Sequence, residues 1–225
     1  MSGELLVIGP QHLPYDDALA LQHRLRDERV AGAGPDCLLL IEHPPTITLG
    51  VRADTADVLA REDSLAARGV CVRRTNRGGE VTFHGPGQLV AYPIVDLRRR
   101  GRNLHGYLRR LEAWLVRLCR ASGISAHADS PHTGVWVADR KIASIGIAAR
   151  HWIAYHGVAL NVNTDMSYFD LIVPCGLHQV RMTSMEGELG EAPAFNDVAR
   201  SAAEMFAQDF GMDIVRSPSA MAEVP

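Results

Sequence analysis

Arg77-Gly78-Gly79-Glu80-Val81-Thr82-Phe83-His84-Gly85-Pro86-Gly87-Gln88 is the stretch on which the reading of this chain turns. It holds four glycines, one arginine and one histidine, with few large apolar side chains among them. A glycine-rich hairpin is the plain structural reading, but a turn alone does not need so long a stretch. Glycines let a ligand come close to the backbone, and Arg77 and His84 supply polar anchors beside it. The spacing matches neither G-x-G-x-x-G nor the P-loop pattern, so neither nucleotide fingerprint is present.

On either side, VCVRR (70–74) and QLVAYPIV (88–95) read as strands. Further back, CLLLIEH (37–43) is a continuous apolar run of strand length, expected in the centre of a sheet. A helix is expected over residues 56–68 with Gly69 as its C-terminal cap, and another over Asp16 to Val30, after Pro14 and a short first strand. Further on, Asn103 can cap a helix whose Leu104, Tyr107, Leu108, Leu111, Leu115 and Leu118 recur at helical spacing and predict one core-facing stripe. GVWVA (134–138), IASIGIAA (142–149) and WIAYHGVALNV (152–162) read as antiparallel strands joined by tight turns. A last helix is expected from about Asn196 to Phe210. The fold class is therefore α/β of the α+β type, a mixed sheet flanked by helices. Residues 1–215 read as a single domain and 216–225 as a disordered tail.

With 225 residues, 47% of them hydrophobic and 22% charged, the chain has an ordinary globular composition with enough length for a sizeable core. A net charge of −3 excludes a generally basic nucleic-acid binder. No apolar run approaches the ~20 residues that cross a bilayer. MSGELLVIGP carries an acid before a short apolar run, unlike a signal peptide, so a cytoplasmic protein is expected.

Cys37, Cys71, Cys119 and Cys175 are widely scattered, which argues for reduced thiols. The first three sit in strands or a leucine-rich helix and read as small buried hydrophobes. Cys175 differs, because Val173-Pro174-Cys175-Gly176 is a turn that presents a thiol to a pocket. An unassisted thiol of pKa ≈ 8.5 is only a few per cent thiolate near neutrality, so a nucleophile here needs a partner. His178 lies three residues on, but ten histidines make one nearby unremarkable. No paired-cysteine, His-Glu-x-x-His or EF-hand motif is present, and no metal is expected.

Three blocks together resemble the lipoyl(octanoyl) transferases of protein lipoylation. They are Arg77 to Gln88 with Tyr92-Pro93, Lys141-Ile142-Ala143-Ser144-Ile145-Gly146, and His156 to Asn161 leading on to Ile172-Val173-Pro174-Cys175-Gly176. Their order and spacing match that family through roughly residues 5–210. Phe83 and Met166 stand where the family often has tyrosine and leucine.

The resemblance implies a fold like the catalytic domains of biotin and lipoate ligases. It implies an acyl-thioester on Cys175 and Lys141 as its catalytic partner. It also implies an acyl site lined by Arg77, Gly78, Gly79, Glu80, Val81, Thr82, Phe83 and His84, by Ser144, Ile145 and Gly146, and by Gly157, Val158 and Ala159. On spacing alone, Lys141 would read as a solvated charge at an exposed Asp139-Arg140-Lys141 turn. The implied reaction moves octanoyl from octanoyl-acyl carrier protein to a lysine of the lipoyl domains of 2-oxoacid dehydrogenase complexes or of glycine cleavage H protein, without ATP, metal or other cofactor. Lys141 is the favoured group to take the acceptor lysine's proton, with His84 and His156 as positioning or auxiliary relay groups.

Two rival functions remain: an ATP-dependent lipoate or biotin ligase, which needs no cysteine, and a non-catalytic carrier-binding module. The basic residues Arg98-Arg99-Arg100, Arg102, Arg109 and Arg110 read first as a solvated helix start and second as a docking patch for an acidic carrier. No RNA-recognition motif accompanies them, so no nucleic-acid partner is expected.

Overall fold

A computed structural model describes residues 3–129, 132–174 and 180–215. Strand β1 (Gly3–His12) leads through Pro14 into helix α1 (Tyr15–Val30). Asp16 and Asp17 in the first turn and Arg29 in the last complement the helix dipole. Strands β2 (Asp36–Glu42) and β3 (Thr46–Leu49), helix α2 (Glu62–Ala67), then β4 (Cys71–Arg74), β5 (Val81–His84) and β6 (Gln88–Asp96) follow. Helix α3 (Leu104–Ala121) starts where the Asn103 side chain accepts the Gly106 N–H at 2.9 Å. After it come β7 (Ala126–Ala128), β8 (Val135–Val137), β9 (Arg140–Arg150), β10 (Ile153–Asn161) and β11 (Arg181–Met182). Helices α4 (Met185–Leu189) and α5 (Phe195–Phe210) and strand β12 (Met212–Val215) close the chain.

The larger sheet runs β12-β1-β2-β6-β10-β9-β8-β7, with β11 added beside β9. Its first three strands are parallel and the rest antiparallel, except that β11 pairs with β9 in parallel. Helices α3 and α5 cover one face, burying Leu111, Trp114, Leu115, Leu118, Ala202 and Phe206 against Leu38, Leu89 and Val158. Helix α1 lies over the other, where Ala18 meets Leu39, Ile41, Val90 and Tyr92. A second sheet, β4-β3-β5, has its own core of Ile47, Val81, Phe83, Phe169 and Ile172.

The expected mixed sheet flanked by helices is the architecture observed, with CLLLIEH as a central strand between β1 and β6. Some local expectations change. The single helix over 56–68 is instead a 3₁₀ turn at Thr55–Asp57 and the short α2. Between them Val58 bridges Ile172, and the Leu59 and Ala60 N–H groups reach the Leu171 carbonyl, so distant backbone takes the hydrogen bonds a helix would need. The glycine-rich stretch contains β5, whose partner β3 lies over thirty residues upstream and gives no local signal. The first strand is ten residues long because β2 and β12 pair with its two edges.

Cys37 and Cys119 are buried as expected, and burial pushes both thiols up to about 12. Cys71 is exposed, because β4 is an edge strand of the small sheet. In the α3 stripe, Leu104 is exposed and Leu108 half-buried, so these two do not join the core.

The arginines beside α3 are mostly exposed, as expected of a solvated helix start, but several also bond the protein. Arg98 grips Asp96 with two bonds of 2.9 Å, Arg100 donates to the Phe210 carbonyl, and Arg110 donates to the Asp209 carbonyl. These carbonyls end α5, where cationic donors are favoured.

Candidate active site

A cavity of about 630 Å³ opens between the glycine-rich stretch, the β9–β10 hairpin and the first turns of α3. Lys141 sits at one end of it. Ala138 and Asp139 form the turn, so the period-2 alternation of β9 sends Arg140 outward to Glu188 and Lys141 inward. Lys141 is 2% exposed, with its Nζ 5.3 Å from the centre of the Trp136 ring. Gly134 (φ +134°) forms a shelf beneath it: a Cβ there would lie 2.5 Å from Lys141 Cε and 2.7 Å from the Ala143 carbonyl oxygen. Glu112, 1% exposed on α3, holds that shelf by accepting the Gly134 N–H at 3.1 Å, while its other oxygen accepts from Arg109 at 2.7 Å.

Cys175 lies outside the described residues, but its chain neighbours are anchored on both sides. Upstream, the Val173 N–H bonds the Asp57 carbonyl at 2.7 Å. Downstream, β11 pairs Met182 with Lys141, and the Thr183 N–H bonds the Lys141 carbonyl at 2.9 Å. Residues 181–183, downstream of Cys175 in the chain, therefore lie against the strand that bears Lys141.

Of the expected lining residues, Arg77, Gly78, Gly79, Glu80, Thr82, His84, Ser144, Ile145, Gly146, Gly157, Val158 and Ala159 line this cavity, as do Lys141 and His156; Val81 borders it while its side chain packs in the small sheet's core. Phe83 does not line it. Alternation along β5 turns its ring into the small sheet's core, stacked on Tyr168 at 4.7 Å. Arg77 serves as a clamp: its guanidinium donates to Thr48 Oγ1, the Thr48 carbonyl and the Glu80 carbonyl at 2.6–3.1 Å. Gly146 and Gly157 border the cavity, yet the space of their missing side chains is already taken. A Cβ on Gly146 would meet the Gly78 carbonyl oxygen at 2.7 Å, and one on Gly157 the Ala91 carbonyl oxygen at 2.1 Å.

A chain of polar side chains with a fixed donor order runs behind the cavity. Gln88 Nε2 donates to the Phe83 carbonyl and to Asn161 Oδ1, so Gln88 Oε1 must accept from His84 Nδ1 at 2.8 Å. His84 Nε2 is then the acceptor for the Thr48 hydroxyl at 3.4 Å. Asn161 Nδ2 donates to the Thr183 carbonyl at 2.9 Å, carrying the chain to the residue beside Lys141. Nearby, His43 donates from Nδ1 to the Leu13 carbonyl and accepts the Tyr92 hydroxyl on Nε2. Both nitrogens of His84 are thus engaged by protein groups.

His156 lies at the other end. It pairs with Ile147, six positions along β9 from Lys141, on the order of 20 Å away at about 3.3 Å per residue. At that backbone spacing the two residues border different parts of the cavity.

Burial holds all three imidazoles neutral. His84 is driven well below the usual value by burial, then by His43 and Arg77. Burial lowers His43 to about 4, and burial with the charges of Arg77, His23 and Arg26 lowers His156 to about 3. In the unfolded chain these groups protonate near pH 6.5, so the unfolded state binds more protons as pH falls. Their contribution is therefore complete above about pH 6.5 and is lost below it, at up to ~1.4 kcal/mol per pH unit for each imidazole. Urea denaturation at pH 7.5, 6 and 5 is expected to show stability falling by several kcal/mol across that window. Equal stability at the three values would contradict neutral burial.

Several site residues carried no local signal. Tyr92 and Asn161 stood within recognisable blocks, but as apparent strand residues. Gln22 and Glu112 are polar residues on the inward faces of α1 and α3, and that placement was the available sign. Among the described residues, no group of three or more His, Cys, Asp or Glu is placed to hold a metal ion, and no helix is long and apolar enough to cross a membrane.

The model of the lipoyl protein ligase A/B catalytic domain matches residues 14–207. The octanoyltransferase of Caldicellulosiruptor saccharolyticus is 45% identical over 88% of this chain and 85% of its own length. That of Citrifermentans bemidjiense is 48% identical over 79% of this chain and 83% of its own. Among solved structures, lipoate-protein ligase A bound with ATP shares the fold, with a TM-score of 0.76 at 16% identity, covering 98% of this chain and 91% of that one. A match over most of the chain, with relatives at this identity, means that the protein belongs to the lipoyl protein ligase A/B catalytic domain family, among its octanoyltransferases.

Proposed function

We propose that the protein transfers an octanoyl group from octanoyl-acyl carrier protein to a lysine of a lipoyl domain, through an acyl-thioester on Cys175. The observation that carries this reading is Lys141, a lysine 2% exposed at the end of a cavity and paired with the strand that leads out of the Cys175 segment. A cation held this far from bulk water is placed to stabilise a thiolate from that segment.

In the first half-reaction the Cys175 thiolate attacks the octanoyl thioester carbonyl. The carrier's thiolate leaves and takes a proton from the Lys141 ammonium. In the second, the acceptor lysine's neutral amine attacks the acyl-enzyme and its C–N bond forms as the C–S bond to Cys175 breaks. Neutral Lys141 takes the amine's proton, which restores the ammonium–thiolate pair. The acyl chain fits the slot along β9 and β10, where each buried CH₂ contributes about 0.8 kcal/mol.

Incubation with octanoyl-acyl carrier protein, without ATP, is expected to add the mass of one octanoyl group, and Cys175→Ser to abolish the adduct. Chasing the adduct with a lipoyl domain should move the group to that domain. Transfer that occurs only with free octanoate and ATP would make the protein a ligase. Absence of any adduct or transfer would leave a carrier-binding module.

A further inference from the structure

Helix α3 buries a carboxylate in the stretch whose Leu111, Trp114 and Leu115 belong to the main core. A carboxylate at 1% exposure is costly unless its oxygens find donors. Both oxygens of Glu112 have one. Oε1 accepts the Gly134 N–H at 3.1 Å, and Oε2 pairs at 2.7 Å with Arg109, which lines the cavity.

Gly134 is where Glu112 reaches Lys141. Its φ of +134° is open to glycine and rare for any other residue. A Cβ there would lie 2.5 Å from Lys141 Cε and 3.1 Å from Nζ, so the end of the lysine stem rests directly on this backbone. The β8–β9 register shifts between Val135 and Trp136, beside Gly134. A side chain, and not the strand ladder, therefore takes the Gly134 N–H.

We propose that Glu112 is a positioning residue for Lys141, fixing through the Gly134 N–H the shelf that sets where the lysine's ammonium lies. The proposal rests on the acyl-transfer reading above, in which that ammonium supports the Cys175 thiolate. Arg109 answers the carboxylate's charge, so Glu112 holds the shelf without being a buried, unpaired anion. Without an acceptor at this position the Gly134 N–H is stranded, and the shelf shifts to satisfy it. Displacing a catalytic group by about 1 Å can cost on the order of 100-fold in rate.

Iodoacetamide alkylation of Cys175, followed by peptide mass against pH, reads its thiolate and needs no acyl donor. Glu112→Leu is apolar like its helix neighbours but offers Gly134 no acceptor. Its alkylation midpoint is expected to rise by about one pH unit over the parent, roughly a tenfold loss of thiolate at neutral pH. Single-turnover octanoylation by octanoyl-acyl carrier protein should slow by about 10- to 100-fold at pH 7, with the half-saturating donor concentration little changed. Glu112→Asp, whose carboxylate stops one CH₂ short of Gly134, should move the midpoint in the same direction. Glu112→Gln removes the charge but keeps an oxygen for Gly134, and it should restore the parent midpoint. Arg109, His105 and His132 also line the cavity and are common to every variant. A parent midpoint in both Glu112→Leu and Glu112→Asp, even with lowered Tm, would overturn the proposal. So would a Glu112→Gln midpoint raised as far as that of Glu112→Leu. A parent Cys175 that ionises like an unassisted thiol, near pH ~8.5, or no octanoyl transfer by the parent, would instead overturn the function reading, and this inference with it.

Discussion

Replacing Lys141 with methionine is expected to slow acylation of Cys175 by about 10³-fold while leaving the fold intact. A cation ~4 Å from a thiolate stabilises it by up to ~4 kcal/mol at an effective dielectric of 20. Here both charges would lie in a site where Lys141 is only 2% exposed, so little water is present to replace the lysine. Methionine keeps much of the unbranched stem that packs on Gly134 and beneath Trp136 and removes the charge. The check is a rapid-quench time course of octanoyl incorporation, read by intact mass, at pH 7 and pH 9. Raising the pH ionises the thiol without help, so the gap between parent and variant should narrow at pH 9. Equal acylation rates at pH 7 would remove Lys141 from the reaction. A gap that stays constant with pH would mean that Lys141 acts by placing the substrate and not by stabilising the thiolate.

Gly157→Ala is expected to destabilise the protein by about 3 kcal/mol or more, lowering Tm by about 6–12 °C for a domain of this size. The added methyl would meet the Ala91 carbonyl oxygen at 2.1 Å and Pro93 Cδ at 2.7 Å, and both belong to the neighbouring strand β6. Neither is the end of a flexible side chain, so relief requires the centre of the larger sheet to part. If Gly157 were present only to leave room for an acyl chain, the variant would keep its Tm and lose affinity for the donor instead. Differential scanning calorimetry together with the donor KM separates the two.

The same residue illustrates how far local sequence reaches. That glycines gather where something must come close was legible in Arg77 to Gln88 and around Gly146 and Gly157. What comes close was not. At Gly157 it is strand β6, and at Gly146 it is the glycine-rich stretch itself, whose Gly78 N–H bonds the Ile147 carbonyl at 2.9 Å. Arg77 was legible as a polar anchor, but the groups it anchors are protein groups, Thr48 and Glu80, brought to it by pairing between β3 and β5. His84 and His156 looked alike in the sequence, two histidines in recognisable blocks. The structure separates them: one has both nitrogens engaged behind the Lys141 end, and the other has one bare nitrogen at the opposite end.

Sequence by itself determined the α+β class, the central strands and most of the helices, because apolar periodicity is a local property of the chain. It also determined the family, because three blocks in the right order are specific where each alone is not. Tertiary structure decided which face each block presents. Lys141 is inward because a two-residue turn at Ala138-Asp139 sets the phase of β9. Phe83 is turned from the cavity because β5 belongs to a second sheet with a core of its own. Leu104 and Leu108 border the cavity while Tyr107, Leu111, Leu115 and Leu118 enter the core, because they lie on different faces of α3. Phase and pairing depend on contacts between residues far apart in the chain, and no local pattern encodes them.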